Sequence, residues 1–220
     1  MSSGLHRLPR VAVEFFSGSG KWSSAMRRRG YVAIEVDVIH GPQSDVTNPY
    51  LVKLFFQLLN SGVLWAVHLG TPCCTFSRAR GRCNGPGTLR STERPRGLDK
   101  PLSVADSDKV KIGNQLADFS ARAFERCRLR RVPCSLENPH TSILWYLPEF
   151  VQLAARKHVR TDYTDFCMDG KPWRKRTRLM VTHIDLARVT RQCKSRDGIC
   201  CRTHRVHQTL EGKNDQGFLF

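Results

Sequence analysis

VAVEFFSGSGKWSSAMRRRGYVAIEVDV, residues 11–38, is the stretch that decides the fold. Its first six residues form an apolar run that suits a short buried strand. The glycine-rich turn SGSG follows at 17–20, and then a helix-like stretch that Gly30 closes. YVAIEVDV, at 31–38, reads as a second strand that ends in acids. The pattern continues outward. DVTNPYLVKLFFQLLNSG, at 45–62, predicts a turn and an apolar-faced helix, and VLWAVHLG, at 63–70, a third strand. Strand, helix, strand, helix, strand at short intervals implies an α/β fold with a doubly wound, mostly parallel, Rossmann-like sheet.

Beyond the third strand the composition changes. Residues 81–108 are rich in Gly, Pro, Arg, Ser and Asp with little periodicity, and a mobile loop is expected over 78–108. Residues 109–130 regain a helical period, with Ile112, Leu116, Phe119, Ala123 and Phe124 on one side. VPCSLENP, at 132–139, predicts a strand with a proline stop. SILWYLPEFVQLAARK, at 142–157, is helix-like, and VRTDYTDFCM (159–168) and RTRLMVTHI (176–184) read as two later strands. We expect a catalytic domain over 1–182 and a short, basic, Cys/His-rich segment over 183–220. There is no internal repeat.

Composition narrows the function. The chain has 220 residues, 40% of them hydrophobic, so it builds a globular core. It has no apolar run of the ~18 residues that span a bilayer, and MSSGLHRLPR lacks the apolar centre of a secretory signal. No membrane partner is therefore expected, and the expected location is intracellular, where thiols stay reduced. The nine cysteines are then read as free, catalytic or metal-bound rather than paired. Thirty-six Lys and Arg against 19 Asp and Glu give a formal charge of +17. Such a balance favours a polyanionic partner, most simply nucleic acid. The basic residues crowd at 78–82, 90–100, 122–131, 156–160 and in KPWRKRTR at 171–178.

The first turn points to a nucleotide-like cofactor. Glycines let the backbone approach a ligand closely, and a helix N-terminus favours polar or anionic groups. An acid at the end of the second strand suits a ribose diol. Asp45, next along, suits an adenine amino group. The turn lacks the full G-x-G-x-x-G, which argues against a nicotinamide dinucleotide.

The chemistry sits on two other strand ends. In VHLGTPCCTFSRAR, at 67–80, Pro72 fixes the backbone before Cys73, and arginines follow. Nearby cations lower a thiol's pKa and hold a polyanion. A lone cysteine there would be a small buried hydrophobe. What changes the reading is LENP at 136–139, where Glu137 also ends an apolar strand. A thiol and a carboxylate on neighbouring strand ends can converge on one heteroaromatic ring.

In this order, FSGSG, EVD, SDV, GTPCCTFS, LENP and KPWRKRTR resemble the motifs of the cytosine-C5 methyltransferase family. The resemblance covers about residues 11–182 and implies the class I S-adenosylmethionine methyltransferase version of the fold. It implies a cofactor site at Phe16, Ser17, Gly18 and Gly20, with Glu35 and Val36, Asp45 and Val46, and Pro72. It implies Cys73 as the nucleophile that attacks C6 of cytosine. Cys73 is chosen over Cys74 because it follows the proline directly; Cys74 stands where the family usually has Gln. Glu137 would hold and protonate N3, and Arg176 and Arg178 would complete the catalytic set. Ser77, Arg78, Asn138 and Arg174 would contact substrate. DNA is the expected substrate, flipped out or single-stranded, with RNA and single-stranded DNA as alternatives. A non-catalytic nucleic-acid-binding relative is the competing reading. The location is then the nucleus, or wherever the nucleic acid resides.

The chain departs from the family after the arginine motif. Only 38 residues follow Thr182, and neither a target-recognition region nor the family's last helix is visible. A partner chain or further segment is expected to complete that part. The segment instead holds Cys193, Cys200, Cys201, His204 and His207. With Cys167, these spacings suit a structural zinc. The ligand set we expect is Cys167, Cys193, Cys200 and His207; the competing reading is scattered reduced thiols and basic-tail histidines.

Overall fold

The computed structural model describes residues 10–81 and 87–208. The first nine residues, 82–86 of the expected loop and 209–220 of the C-terminal segment lie outside the described residues.

Six strands form one sheet in the order β2-β1-β3-β4-β6-β5. They are β1 (Val11–Phe15), β2 (Val32–Val36), β3 (Leu64–Leu69), β4 (Cys134–Pro139), β5 (Val159–Asp165) and β6 (Arg176–Thr182). β1 to β4 run parallel, whereas β6 is antiparallel to both β4 and β5. The doubly wound, mostly parallel sheet is therefore present, with one reversed strand near its edge. Four α-helices join the strands: α1 (Lys21–Arg27), α2 (Pro49–Asn60), α3 (Val104–Arg130) and α4 (Pro148–Ala154). No helix among the described residues is long and apolar enough to cross a membrane.

Strand alternation sorts the two faces. Val13, Phe15, Val67, Leu69, Leu136 and Met180 join one core with α2, α3 and α4. At its centre Phe15 meets Phe55 of α2 at 4.7 Å and Phe119 of α3 at 4.8 Å between ring centroids. Edge-to-face contacts of this kind add to simple area burial. The opposite face carries α1 through polar groups. Buried Glu14 accepts the Ser23 amide at 2.7 Å, a carboxylate at a helix N-terminus. His68 stacks on Trp22 at 5.5 Å and bonds the Ser135 hydroxyl at 2.8 Å.

The expected loop over 78–108 differs from the structure. Residues 78–81 form a 3-10 turn, and α3 begins at Val104 because the Ser103 hydroxyl caps it, accepting the Asp106 amide at 3.1 Å. The stretch from 87 to 103 is tied down. Buried Arg90 donates to the Asn114 side chain (2.7 Å), Pro95 O (2.8 Å), Val110 O (3.0 Å) and Thr75 Oγ1, and lies 3.9 Å over the Phe76 ring. Arg96 pairs with Asp118 and Glu149. Gly113 makes room for Arg90, since a Cβ there would stand 2.6 Å from Thr75 Oγ1 and 2.8 Å from the guanidinium. Polar composition reads as mobility only when the charges lack partners, and here they have them.

From β1 the chain steps to β2 on one side and then crosses to β3 on the other. The carboxyl ends of β1 and β3 thus flank the switch point where α/β sheets bind ligands. The Gly70 amide donates to Phe15 O at 3.1 Å, and a Cβ on Gly70 would meet Phe16 O at the same distance. The glycine turn and the Cys73 loop therefore start in contact.

Candidate active site

The turn after β1 is shaped by three residues with positive φ: Phe16 (58°), Gly18 (49°) and Gly20 (61°). Phe16 is a bulky residue in a conformation that side chains rarely adopt, which marks local strain. Its amide is held by Val36 O at 2.7 Å. The Gly18 amide donates to Asp37 Oδ2 at 2.9 Å, and Ser17 is buried within 3.5 Å of His40 Nε2. Gly20 sits at φ 61°, where any side chain is strained, and a Cβ there would stand 2.5 Å from the end of the Glu35 side chain at Oε2. The Glu35 carboxylate itself pairs with Arg27 and lies 3.8 Å from His40 Nε2. Phe16, Ser17, Gly18, Gly20 and Glu35 are thus one cluster. Asp45 accepts the Thr47 amide at 2.8 Å in a turn of its own, while Val36 and Val46 belong to the apolar core.

The second half begins just past β3. Pro72 is half-buried, and Cys73 O accepts the amides of Phe76 (2.9 Å) and Ser77 (2.8 Å), so Cys73 opens a tight turn. Fully buried Phe76 anchors that turn. Burial pushes the Cys73 thiol up; the Lys175 cation pulls it down, and the Glu137 charge and Cys74 push it up further. All three groups therefore sit within electrostatic reach of one sulfur. Glu137 Oε1 is a buried atom with no hydrogen-bond donor among the described residues, and Lys175 Nζ stands 4.0 Å away. Buried carboxylate oxygens are normally satisfied, so an orphaned one needs an explanation.

The other expected site residues go elsewhere. Asn138 is wholly buried and its amide donates to Thr71 O at 2.6 Å, which ties β4 to the Thr71-Pro72-Cys73 segment. Thr71 in turn donates to Ser120 of α3 at 2.8 Å. Arg176 holds wholly buried Asp165 with two hydrogen bonds, at 3.0 and 2.8 Å, and Arg174 lies 3.6 Å from the same carboxylate. Arg178 stacks on Trp145 at 4.4 Å, its buried Nε has no hydrogen-bond partner among the described residues, and burial lowers its pKa. Arg78 reaches toward the Tyr146 ring at 5.9 Å, and the Ser77 hydroxyl accepts the Ala79 amide. Lys175 was not among the expected site residues. Its only signal was membership of KPWRKRTR, where three arginines stood out before it.

The four expected metal ligands do come together. One ligand atom each from Cys167, Cys193, Cys200 and His207 lies within 4.8 Å of every other. Cys201 and His204 are exposed and outside this group.

No protein-family model matches the chain, and no curated protein matches it in sequence. Among solved structures it is similar to the Entamoeba histolytica methyltransferase EhMeth, at 14% identity and a TM-score of 0.44, over 82% of this chain and 55% of that one. It is also similar to the S. pombe Dnmt2 methyltransferase, at 11% identity and a TM-score of 0.37, over 80% of this chain and 51% of that one. The chain spans about half the length of these structures. A likeness this weak says nothing about what the chain acts on.

Proposed function

We propose that this chain methylates C5 of cytosine in nucleic acid through a covalent bond to Cys73. The observation that carries the reading is the orphaned Glu137 Oε1, buried beside a thiol and facing a lysine at the carboxyl edge of the sheet. A pyrimidine placed there would offer its N3 edge to Glu137 and its C6 to Cys73.

The steps follow from the side chains. Cys73 is protonated at rest, because burial raises its pKa. Lys175 favours the thiolate and promotes loss of that proton. The Cys73 proton passes to the Glu137 carboxylate and from there to N3 as the thiolate adds to C6 and forms a C–S bond, so C5 becomes nucleophilic. Once C5 has been alkylated, its proton passes to water, the freed electron pair re-forms the C5–C6 double bond, the C6–S bond breaks so that the thiolate leaves, and N3 returns its proton to Glu137. S-adenosylmethionine would supply the electrophilic methyl group. Its fit is supported by the open backbone at Gly18, which has nothing within 4 Å of a Cβ position, and by the Glu35 carboxylate beside Gly20, an acid of the kind that binds a ribose diol. The formal +17 charge supports a nucleic-acid substrate whose binding weakens steeply with salt.

The test is incubation with labelled S-adenosylmethionine and, separately, duplex DNA, single-stranded DNA and transfer RNA. Label should pass to at least one polymer, and a 5-fluorocytosine version should trap an adduct on the Cys73 peptide. Methyl transfer that survives Cys73→Ala would overturn the covalent route. Salt-sensitive binding without cofactor binding would support the non-catalytic alternative.

A further inference from the structure

Cys167, Cys193 and Cys200, packed against Met168, form a second small core apart from the main one, and among the described residues no aliphatic or aromatic residue belongs to it. A buried cysteine is a small hydrophobe, and three of them bury little area. Yet they hold a segment of mostly exposed, polar chain, residues 183–208, in a defined shape. Segments this short ordinarily need a staple.

The backbone is arranged to present four ligand atoms. Cys167 sits in the 3-10 turn Phe166–Asp169 that follows β5, closed by Gly170 at φ 92°. The Cys193 amide is fixed by wholly buried Asp165, donating to Oδ2 at 2.7 Å. Cys200 and His207 come from one tight hairpin. Ile199 and Val206 bridge it, the Cys200 amide donates to Arg205 O at 2.8 Å, and the His207 amide donates to Gly198 O at 2.8 Å. Cys193 Sγ and His207 Nε2 end up 3.8 Å apart. Tetrahedral zinc, with Zn–S near 2.3 Å and Zn–N near 2.0–2.1 Å, places its ligand atoms about 3.5–3.8 Å from one another. The Cys201 amide points at Cys193 Sγ at 3.5 Å, the kind of outer hydrogen bond that steadies a ligating thiolate.

We propose that Cys167, Cys193, Cys200 and His207 bind one zinc ion in a closed tetrahedral site. Three soft thiolates and an imidazole select zinc over magnesium, calcium or manganese. Binding replaces three thiol protons, which pass to solvent, and the imidazole binds neutral through Nε2. The ion staples the segment to the sheet at a useful place. Cys193 O accepts Arg174 Nη2 at 3.0 Å and Arg176 Nη2 at 3.5 Å, so the ligand loop also holds the start of β6, next to Lys175.

The test is metal content, measured by elemental analysis on full-length chain after dialysis against a weak chelator. One zinc per chain is expected, retained in Cys201→Ser and lost in a Cys193→Ser, Cys200→Ser double variant. Cobalt(II) exchanged into the wild type should give intense visible bands of a tetrahedral site with thiolate-to-metal charge transfer, and this readout needs no variant to fold. A metal-free wild type that melts at the same temperature as the zinc-supplemented protein overturns the proposal. So does zinc that persists in the double variant, or cobalt bands of an octahedral, oxygen-rich site. None of these readouts involves methyl transfer, so this site and the Cys73 mechanism fail separately.

Discussion

Glu137→Gln keeps the shape of the side chain and removes its charge, and the structure assigns this change two opposite effects. The first is on the reaction. If Glu137 delivers a proton to the base, its loss should cost 10²–10⁴ in rate, about 3–5 kcal/mol of barrier. The second is on the thiol. The Glu137 charge is one of the groups that push Cys73 up, so glutamine should leave the thiol more acidic and faster to alkylate at a fixed pH below its pKa. Lys175→Met should do the reverse and slow alkylation, because that cation pulls Cys73 down. Stability should hardly change. Oε1 has no hydrogen bond to lose, and its contact with Lys175 at 4.0 Å joins side chains 25% and 36% exposed, a pair worth about 1 kcal/mol or less. The assay is iodoacetamide labelling followed at the Cys73 peptide by mass spectrometry, run beside methyl transfer and thermal melting. Slower labelling in Glu137→Gln, or faster labelling in Lys175→Met, would refute the electrostatic reasoning. A melting temperature that collapses along with activity would make Glu137 a structural residue.

Three further outcomes are expected. Gly20→Ala forces a Cβ to 2.5 Å from Glu35 Oε2 at φ 61°, so it should cost about 1–2 kcal/mol in stability and abolish S-adenosylmethionine binding measured by calorimetry. His68 is half-buried, and desolvation lowers its pKa from 6.5 to about 4. A depressed pKa means the neutral form is the stable one, so stability present above pH 6.5 should fall by about 3 kcal/mol as pH drops toward 4; His68→Gln should flatten that slope in urea titrations. Arg176→Gln leaves wholly buried Asp165 with Arg174 at 3.6 Å and the Cys193 amide as partners, so it should lose roughly 3 kcal/mol of unfolding free energy by denaturant titration before it affects chemistry.

Much of the fold was legible because its signals are local. The six expected strands are all present, although β5, VRTDYTD, is mostly polar, and the turn between β1 and α1 announced itself through glycines that the left-handed backbone demands. Two features were not legible. The start of α3 hid in a polar stretch, because its cap is a single serine and its first turn is acidic. The order of residues 87–103 rests on Arg90, whose partners lie on other segments, at Thr75, Val110 and Asn114. Nothing in the local sequence separates such an arginine from one that is solvated.

The assignment within KPWRKRTR turns on strand parity. Along β6, alternate side chains face opposite sides of the sheet. Glu137 lies opposite Leu179 and Asn138 opposite Arg178. Positions 176 and 178 therefore share the Asn138 face, where Arg176 meets Asp165 and Arg178 meets Trp145. Lys175 lies just ahead of β6, and continuing the alternation gives it the parity of Leu179 and Glu137; it is Lys175 that comes within 4.0 Å of Oε1. A motif read along the chain favours its arginines, because guanidinium suits both phosphate and base edges. The sheet then divides those cations into two sets. Arg174 and Arg176 brace the buried carboxylate that also holds the Cys193 amide, Arg178 stacks on Trp145, and Lys175 is left to set the charge around Cys73.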